Sequence, residues 1–149
     1  MKLNWKFKKF EKLKPQELYD ILNLRNKVFV VEQNCVYLDT DNKDQGSYHL
    51  CGWDDEILVA YARIIPPGIA FPEASIGRVV TDPSYRKNGL GKELMDVAIE
   101  KTLGQFTVST IKIGAQTYLL NFYTSLGFTQ SGPGYLEDGI PHVEMVLIK

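Results

Sequence analysis

Polar and apolar positions alternate over residues 3–10 in the two-residue rhythm of a strand, and the rhythm changes at Pro15. Proline suits the first turn of a helix, and after it Leu18, Ile21, Leu22, Arg25, Val28 and Phe29 recur at helical spacing, predicting a helix that ends near Val31. The polar stretch "VYLDTDNKDQGSYH" predicts a loop. "HLCGW" and "ILVAYARII" flank a short acidic "DDE", and β-branched and aromatic residues dominate the second run, so the pair predicts an antiparallel hairpin. "PPGIAFPEA" is a loop held by three prolines. "SIGRVVT" is a short strand stopped by Asp82-Pro83, and a helix runs from about Gly89 to Leu103. "TIKIGA" predicts a strand, "YLLNFYTSL" a helix closed by Gly127, and "VEMVLIK" the last strand. The order β-α-β-β-β-α-β-α-β places the chain in the α/β (α+β) class, with a central mixed, mostly antiparallel sheet and helices on both faces.

Composition narrows the partners. No repeat or linker divides the chain, so residues 1–149 are expected to form one domain, with 44% hydrophobic content to fill a core. A net charge of −1, from 17 basic and 18 acidic side chains, lacks the excess that a nucleic-acid binder needs. No apolar run approaches the roughly 20 residues of a membrane span, and "MKLNWKFKKFEKL" lacks the apolar core of a signal peptide, so a soluble cytoplasmic protein is expected. Its Lys-rich start reads as a solvated strand and turn. Cys35, Cys51, His49 and His142 form neither a disulfide framework nor a zinc-ligand pattern, so no metal is expected.

The chemistry begins at "RKNGLG". A P-loop requires Gly-Lys-Ser/Thr, but Glu93 follows Gly91-Lys92, and no glycine stands four residues before Gly89. The dinucleotide fingerprint requires a third glycine where Leu94 stands. A third pattern remains, Arg/Gln-x-x-Gly-x-Gly/Ala between a strand and a helix, filled by Arg86, Gly89 and Gly91. Its glycines permit positive φ and close approach, so successive amides from Arg86 through Lys87, Asn88, Gly89, Leu90 and Gly91 to Lys92 turn toward one pyrophosphate at the positive end of a helix. Here the sequence resembles the GCN5-related N-acetyltransferase (GNAT) superfamily. "GAQTYLLNFYTSLGF" resembles that superfamily's strand-helix unit ending in Phe-Tyr-x-x-x-Gly-Phe, with Gln116, Leu119 or Leu120, and Tyr123 expected on one helical face. "RNKVFVVEQNCVY", "DTD", "VAYARI", "IGRVV" and "EDGIPHVEM" narrow the resemblance to its ElaA-like subfamily, with Cys35-Val36-Tyr37 where Cys-Pro-Tyr is usual.

The resemblance implies acetyl-CoA as co-substrate and a small-molecule or protein amine as acceptor, with direct attack in a ternary complex. It implies that Val79, Val80 and Thr81 pair through their backbone with pantetheine, that the amide of Val79 or Val80, with Val80 taken first, polarises the thioester carbonyl, and that Tyr123, as general acid, protonates or hydrogen-bonds the departing thiolate. Gln116 belongs to the same donor site, and a homodimer is left open. The glutamate of histone-modifying members falls at Ser75, which removes the simplest base. Glu32 then stands first among the bases, with His49, His142 and Glu144 behind it and Glu73 disfavoured by its loop; Phe29, Glu32, Arg78 and His142 are the acceptor-site candidates. Arg25, Arg63 and Arg78 interrupt apolar segments, where each must bind an acidic acceptor or pair with Asp39, Asp41 or Glu32. Two other readings stay open: an acyl-homoserine-lactone-synthase-like enzyme, suggested by Arg25, Val28, Phe29 and Arg63, and a non-catalytic acetyl-CoA-binding module.

Overall fold

The computed structural model describes residues 2–149. Strand β1 (Asn4–Lys9) leads to helix α1 (Pro15–Arg25), whose first turn is held by the Lys14 N–H donating to Glu17 Oε1 at 2.7 Å. The predicted run to Val31 is helical throughout but changes kind, since Asn26–Glu32 is a π-helical segment. Strands β2 (Tyr48–Asp54), β3 (Ile57–Ile65) and β4 (Ser75–Thr81) follow, then α2 (Leu90–Phe106), β5 (Thr110–Gln116), α3 (Leu120–Ser125), β6 (Thr129–Glu137) and β7 (Ile140–Ile148). Strand β6 is absent from the sequence-based order. Its hairpin with β7 turns on Asp138 and Gly139, both at positive φ, 52° and 77°.

The strands form two antiparallel sheets, ordered β1-β2-β3-β4 and β5-β7-β6. They meet at a single parallel bridge between Ala74 and Ile111, where the Lys112 N–H donates to Ala74 O at 3.0 Å. Beyond that point β4 and β5 share no ladder, and the sheet opens into a cleft. Helices cover both faces. Leu94, Met95 and Ala98 of α2 pack with Ile64, Ile76, Ile111 and Met145, which bridges the two sheets into one core. On the opposite face Ile21, Leu24 and Val28 meet Cys51, Trp53, Tyr61 and Val80. Each fully buried side chain of this size contributes about 1.5–3 kcal/mol, and of the two helical layers it is that of α2 that packs on both sheets. Among the described residues no helix is long and apolar enough to cross a membrane.

An ionic cluster locks the acidic loop after the π-helical segment. The fully buried Arg25 donates to Asp39 Oδ2 at 2.7 Å and Asp44 Oδ1 at 2.8 Å. Arg63 donates from Nη1 to Asp41 Oδ1 at 2.7 Å and Asp44 Oδ1 at 2.8 Å, and from Nη2 to Asp41 Oδ2 at 2.8 Å. Arg78 completes the set, with Nε 3.0 Å from Asp39 Oδ1 and Nη2 donating to Asp39 O at 2.9 Å. The arginines therefore have internal partners, of which Asp44 was not foreseen. Burial pushes Asp41 and Asp44 up, but the guanidiniums outweigh it and hold both well below the usual carboxylate range. His49 sits beside this cluster, 2.7 Å from the Tyr61 hydroxyl and 2.9 Å from Asp44 O, and burial lowers its pKa.

Candidate active site

The opening between β4 and β5 is a cleft of about 850 Å³. Arg86 and Gly91 line one end of it, and the loop that joins them is shaped by its main chain. Lys87, Asn88 and Gly89 adopt φ of 125°, 62° and 74° in succession, a curl that gathers amides around one exposed point. Helix α2 starts at Leu90, and the Glu93 N–H is the first to reach an intrahelical acceptor, Gly89 O at 3.0 Å. The amides of Leu90, Gly91 and Lys92 are thus the unpaired donors of a helix start. Leu90 sends its side chain into the core and Lys92 pairs with Asp96, so neither side chain serves the loop. Gly91 lines the cleft. A Cβ there would meet only the Phe122 ring at 3.7 Å, and one at Gly89 would meet nothing within 4 Å. The absent side chains leave open space directly over the free amides, a cradle that fits a pyrophosphate.

Along the cleft edge β4 carries a bulge. The register passes from Val80 opposite Tyr61 to Gly77 opposite Arg63, so Arg78 and Val79 together face Ala62, with Arg78 at φ 50°. The Asp82 N–H donates to Val59 O at 2.8 Å, and ladder alternation then makes Val80 and Tyr61 a hydrogen-bonded pair. Of the two amides expected to serve, that of Val80 belongs to the sheet, and that of Val79, inside the bulge, is turned away from β3. Thr81 receives Arg86, through Oγ1 at 3.3 Å and its carbonyl at 3.2 Å.

Tyr123 lines the same cleft. Its ring packs edge-on against Phe122 and Phe128, no hydrogen bond holds its hydroxyl among the described residues, and burial pushes its pKa up to about 12. Gln116 does not share a helical face with it, as expected from spacing, because the strand continues through Gln116 and a 3-10 turn over Thr117–Leu119 precedes α3. Gln116 instead exchanges side-chain hydrogen bonds with Gln33, at 3.3 and 3.4 Å, across the cleft.

Side chains build the other end. The π-helical segment supplies Phe29 and Glu32, and both Glu32 oxygens accept from Arg86, at 2.8 Å from Nη1 and 2.7 Å from Nη2. Chelation by a guanidinium stabilises the Glu32 carboxylate as an anion and so weakens it as a base, although each oxygen keeps a second lone pair. His49 is buried away from the cleft and Glu73 does not line it, so neither serves as base; Ser75 does line it. Arg78 lines it too, but its hydrogen bonds run to the acidic loop. Opposite, β6 and β7 present Tyr135, Glu137, His142 and Glu144, with Glu144 3.2 Å from Lys112 Nζ. Tyr135 stacks on His142 at 5.6 Å, and its hydroxyl lies so close over Gly114 that a side chain there would collide. Gln33, Tyr135 and Glu137 escaped the sequence reading. Tyr135 and Glu137 sit on the strand it lacked, and the Asp138-Gly139 pair was the signal that would have found them.

A family model described as an acetyltransferase (GNAT) domain matches residues 11–149. ElaA of Escherichia coli is 39% identical over 145 residues, 96% of this chain and 95% of its own. The crystal structure of an acyl-CoA N-acyltransferase from Pseudomonas aeruginosa superposes with a TM-score of 0.92 at 37% identity, covering 97% of this chain and 99% of that one. BjaI, a CoA-dependent acyl-homoserine lactone synthase, superposes with a TM-score of 0.78 at 17% identity over 99% of this chain and 82% of its own, which is a likeness of fold.

Proposed function

The chain belongs to the GNAT acetyltransferase family, in its ElaA-like branch, and from that premise we propose that it transfers the acetyl group of acetyl-CoA to a primary amine by direct attack, with both substrates bound in the cleft. The observation that carries this reading is the pairing, in one cleft, of an open cradle of amides over Gly91 with the unbonded hydroxyl of Tyr123. Amides from Gly89 to Lys92 hold the pyrophosphate at the helix start. The Val79 amide, freed by the bulge, polarises the thioester carbonyl as negative charge develops on it.

Tyr123 donates a hydrogen bond to the departing sulfur. With its pKa near 12 it does not surrender its proton outright. Net transfer to a thiolate near 8.5 would be uphill by roughly 4–5 kcal/mol. The sulfur takes its proton from the attacking nitrogen, which must shed one as the amide forms. Presenting that nitrogen as a free amine, from a pKa near 10.4, costs about 4–5 kcal/mol at neutral pH, so the acceptor end has to take up a proton.

Calorimetric titration with acetyl-CoA, followed by a panel of primary amines monitored for free thiol, tests the reading. Binding with amine-dependent thiol release is expected. Binding without release from any amine would leave the non-catalytic module as the better account. Arg25 and Arg63, which suggested a lactone synthase, are spent on Asp39, Asp41 and Asp44, so S-adenosylmethionine should not be consumed.

A further inference from the structure

We propose that His142 is the base that takes the proton from the acceptor's ammonium, through Nε2, and this rests on the transfer reading above. His142 belongs to β7, in register with Gln116 of β5 and Tyr135 of β6, so the three side chains share the cleft face of the second sheet. Its Nδ1 lies 2.7 Å from Ile140 O. A carbonyl only accepts, so Nδ1 carries the hydrogen, and the neutral ring keeps its lone pair on Nε2. The ring is 6% exposed and stacked on Tyr135, which fixes its plane.

Nε2 faces Glu137 Oε2 at 3.7 Å, beyond hydrogen-bond length. The gap leaves the lone pair free while placing a carboxylate beside any imidazolium that forms. The other charged groups around the ring are accounted for. Asp138 sits in the adjoining turn, Glu144 is paired with Lys112, and across the cleft Glu32 is paired with Arg86. Glu32 and Glu144 are each held by a cation, whereas the His142 Nε2 lone pair has no hydrogen-bond partner among the described residues.

The proton balance closes. An ammonium R–NH3⁺ passes one proton to Nε2 and becomes R–NH2, and its nitrogen pair forms the bond to the acetyl carbon. The C–S bond breaks, the sulfur takes the second proton from that nitrogen, and His142 releases the first to solvent. One amide, one thiol and one proton leave.

Two variants test the role separately from folding. His142→Asn keeps a donor near the Nδ1 position for Ile140 O, and His142→Gln keeps a group near Nε2, yet neither is a base. Both should bind acetyl-CoA as the wild type does and lose about 10²- to 10⁴-fold in kcat/KM for the amine at neutral pH. Both variants should gain rate as pH rises toward the amine's own pKa, narrowing their gap to the wild type. Wild-type turnover in both variants at neutral pH overturns the role of His142 alone. A wild type that binds acetyl-CoA and releases no thiol from any amine overturns the transfer reading and this role with it. The wild-type tautomer is read independently by long-range ¹⁵N–¹H correlation of the neutral ring; a proton on Nε2 instead of Nδ1 would also overturn the assignment.

Discussion

The two ends of the cleft are made of different material. At the end we propose for acetyl-CoA the surface is mostly backbone: a left-handed curl at Lys87–Gly89, the unpaired amides of a helix start, a bulge at Arg78 and Val79, and two glycines whose missing side chains leave the room. At the end we propose for the amine it is side chains that arrive from distant segments: Phe29 and Glu32 from the π-helical segment, Tyr135 and Glu137 from β6, His142 and Glu144 from β7. Backbone surfaces tolerate change in most side chains and fail when space is taken. The largest expected effect is accordingly at Gly91. Gly91→Val should keep the fold, since the nearest group to a new Cβ is Phe122 at 3.7 Å. It should cost two or more amide bonds to a charged group, roughly 3–6 kcal/mol or 10²- to 10⁴-fold in acetyl-CoA affinity by calorimetry. An unchanged affinity would show that the cradle is not where the pyrophosphate sits.

A buried ionic cluster of Arg25, Arg63, Arg78 and three aspartates supports the cleft, reaching the bulge of β4 only through Arg78. Asp44→Ala leaves Arg25 and Arg63 each short of an acceptor in a buried setting. Breaking such a pair costs about 3–5 kcal/mol, or roughly 6–20 °C in the unfolding midpoint for a chain of this size. If the comparison is right, acceptor kinetics suffer in this variant before acetyl-CoA affinity does. The pH dependence has a definite sign. Asp41 and Asp44 titrate lower in the folded chain than their ordinary value of 3.8, so their stabilisation is complete above that pH and is lost as pH falls below it. His49 is also lowered when folded, from 6.5; the unfolded chain binds its proton first, and stability begins to fall as pH drops below about 6.5. Denaturant unfolding between pH 7 and 3 should show both stages, and the lower one should be shallower in Asp44→Ala.

Tyr123 stands between the two ends, and Tyr123→Phe should leave core packing and acetyl-CoA affinity nearly untouched while lowering kcat by about 10- to 100-fold, the worth of one hydrogen bond to a developing charge. A loss of affinity in place of rate would make the hydroxyl a binding group. What was legible in the sequence follows the same division. The "RKNGLG" curl is local, and the run "ILVAYARII" is rich enough in β-branched and aromatic residues to read as a strand despite Arg63. The acceptor end depends on pairings invisible to local spacing, such as Glu32 with Arg86, 54 residues apart, and Tyr135 with His142. Strand β6 is mostly exposed and broken at Gly132-Pro133-Gly134 by a register shift, so it shows no two-residue rhythm, even though Asp138-Gly139 marks its turn. The choice between the Val79 and Val80 amides likewise rests on the register of β4 with β3, because alternation turns successive amides to opposite sides of a strand.

The smallest expected effect is at an ion pair that spans the cleft, and its smallness is what makes it informative. Glu32 and Arg86 form a two-pronged pair across the cleft, but their side chains are 39% and 41% exposed, and pairs in such surroundings contribute about 0.2–1 kcal/mol. Glu32→Gln should therefore shift the unfolding midpoint by no more than a few degrees. It also frees Arg86, which stands at the head of the amide curl, to turn toward an anion, so acetyl-CoA affinity should stay level or rise about two- to fivefold, and more at low salt than at high. The amine rate should change less than about threefold. Loss of a proton-accepting group would instead cost 10²-fold or more with no change in affinity. A drop of that size in Glu32→Gln would return the base to the π-helical segment and take it from β7; a rise in affinity with the rate kept would identify the pair as a clasp that acetyl-CoA competes with for Arg86.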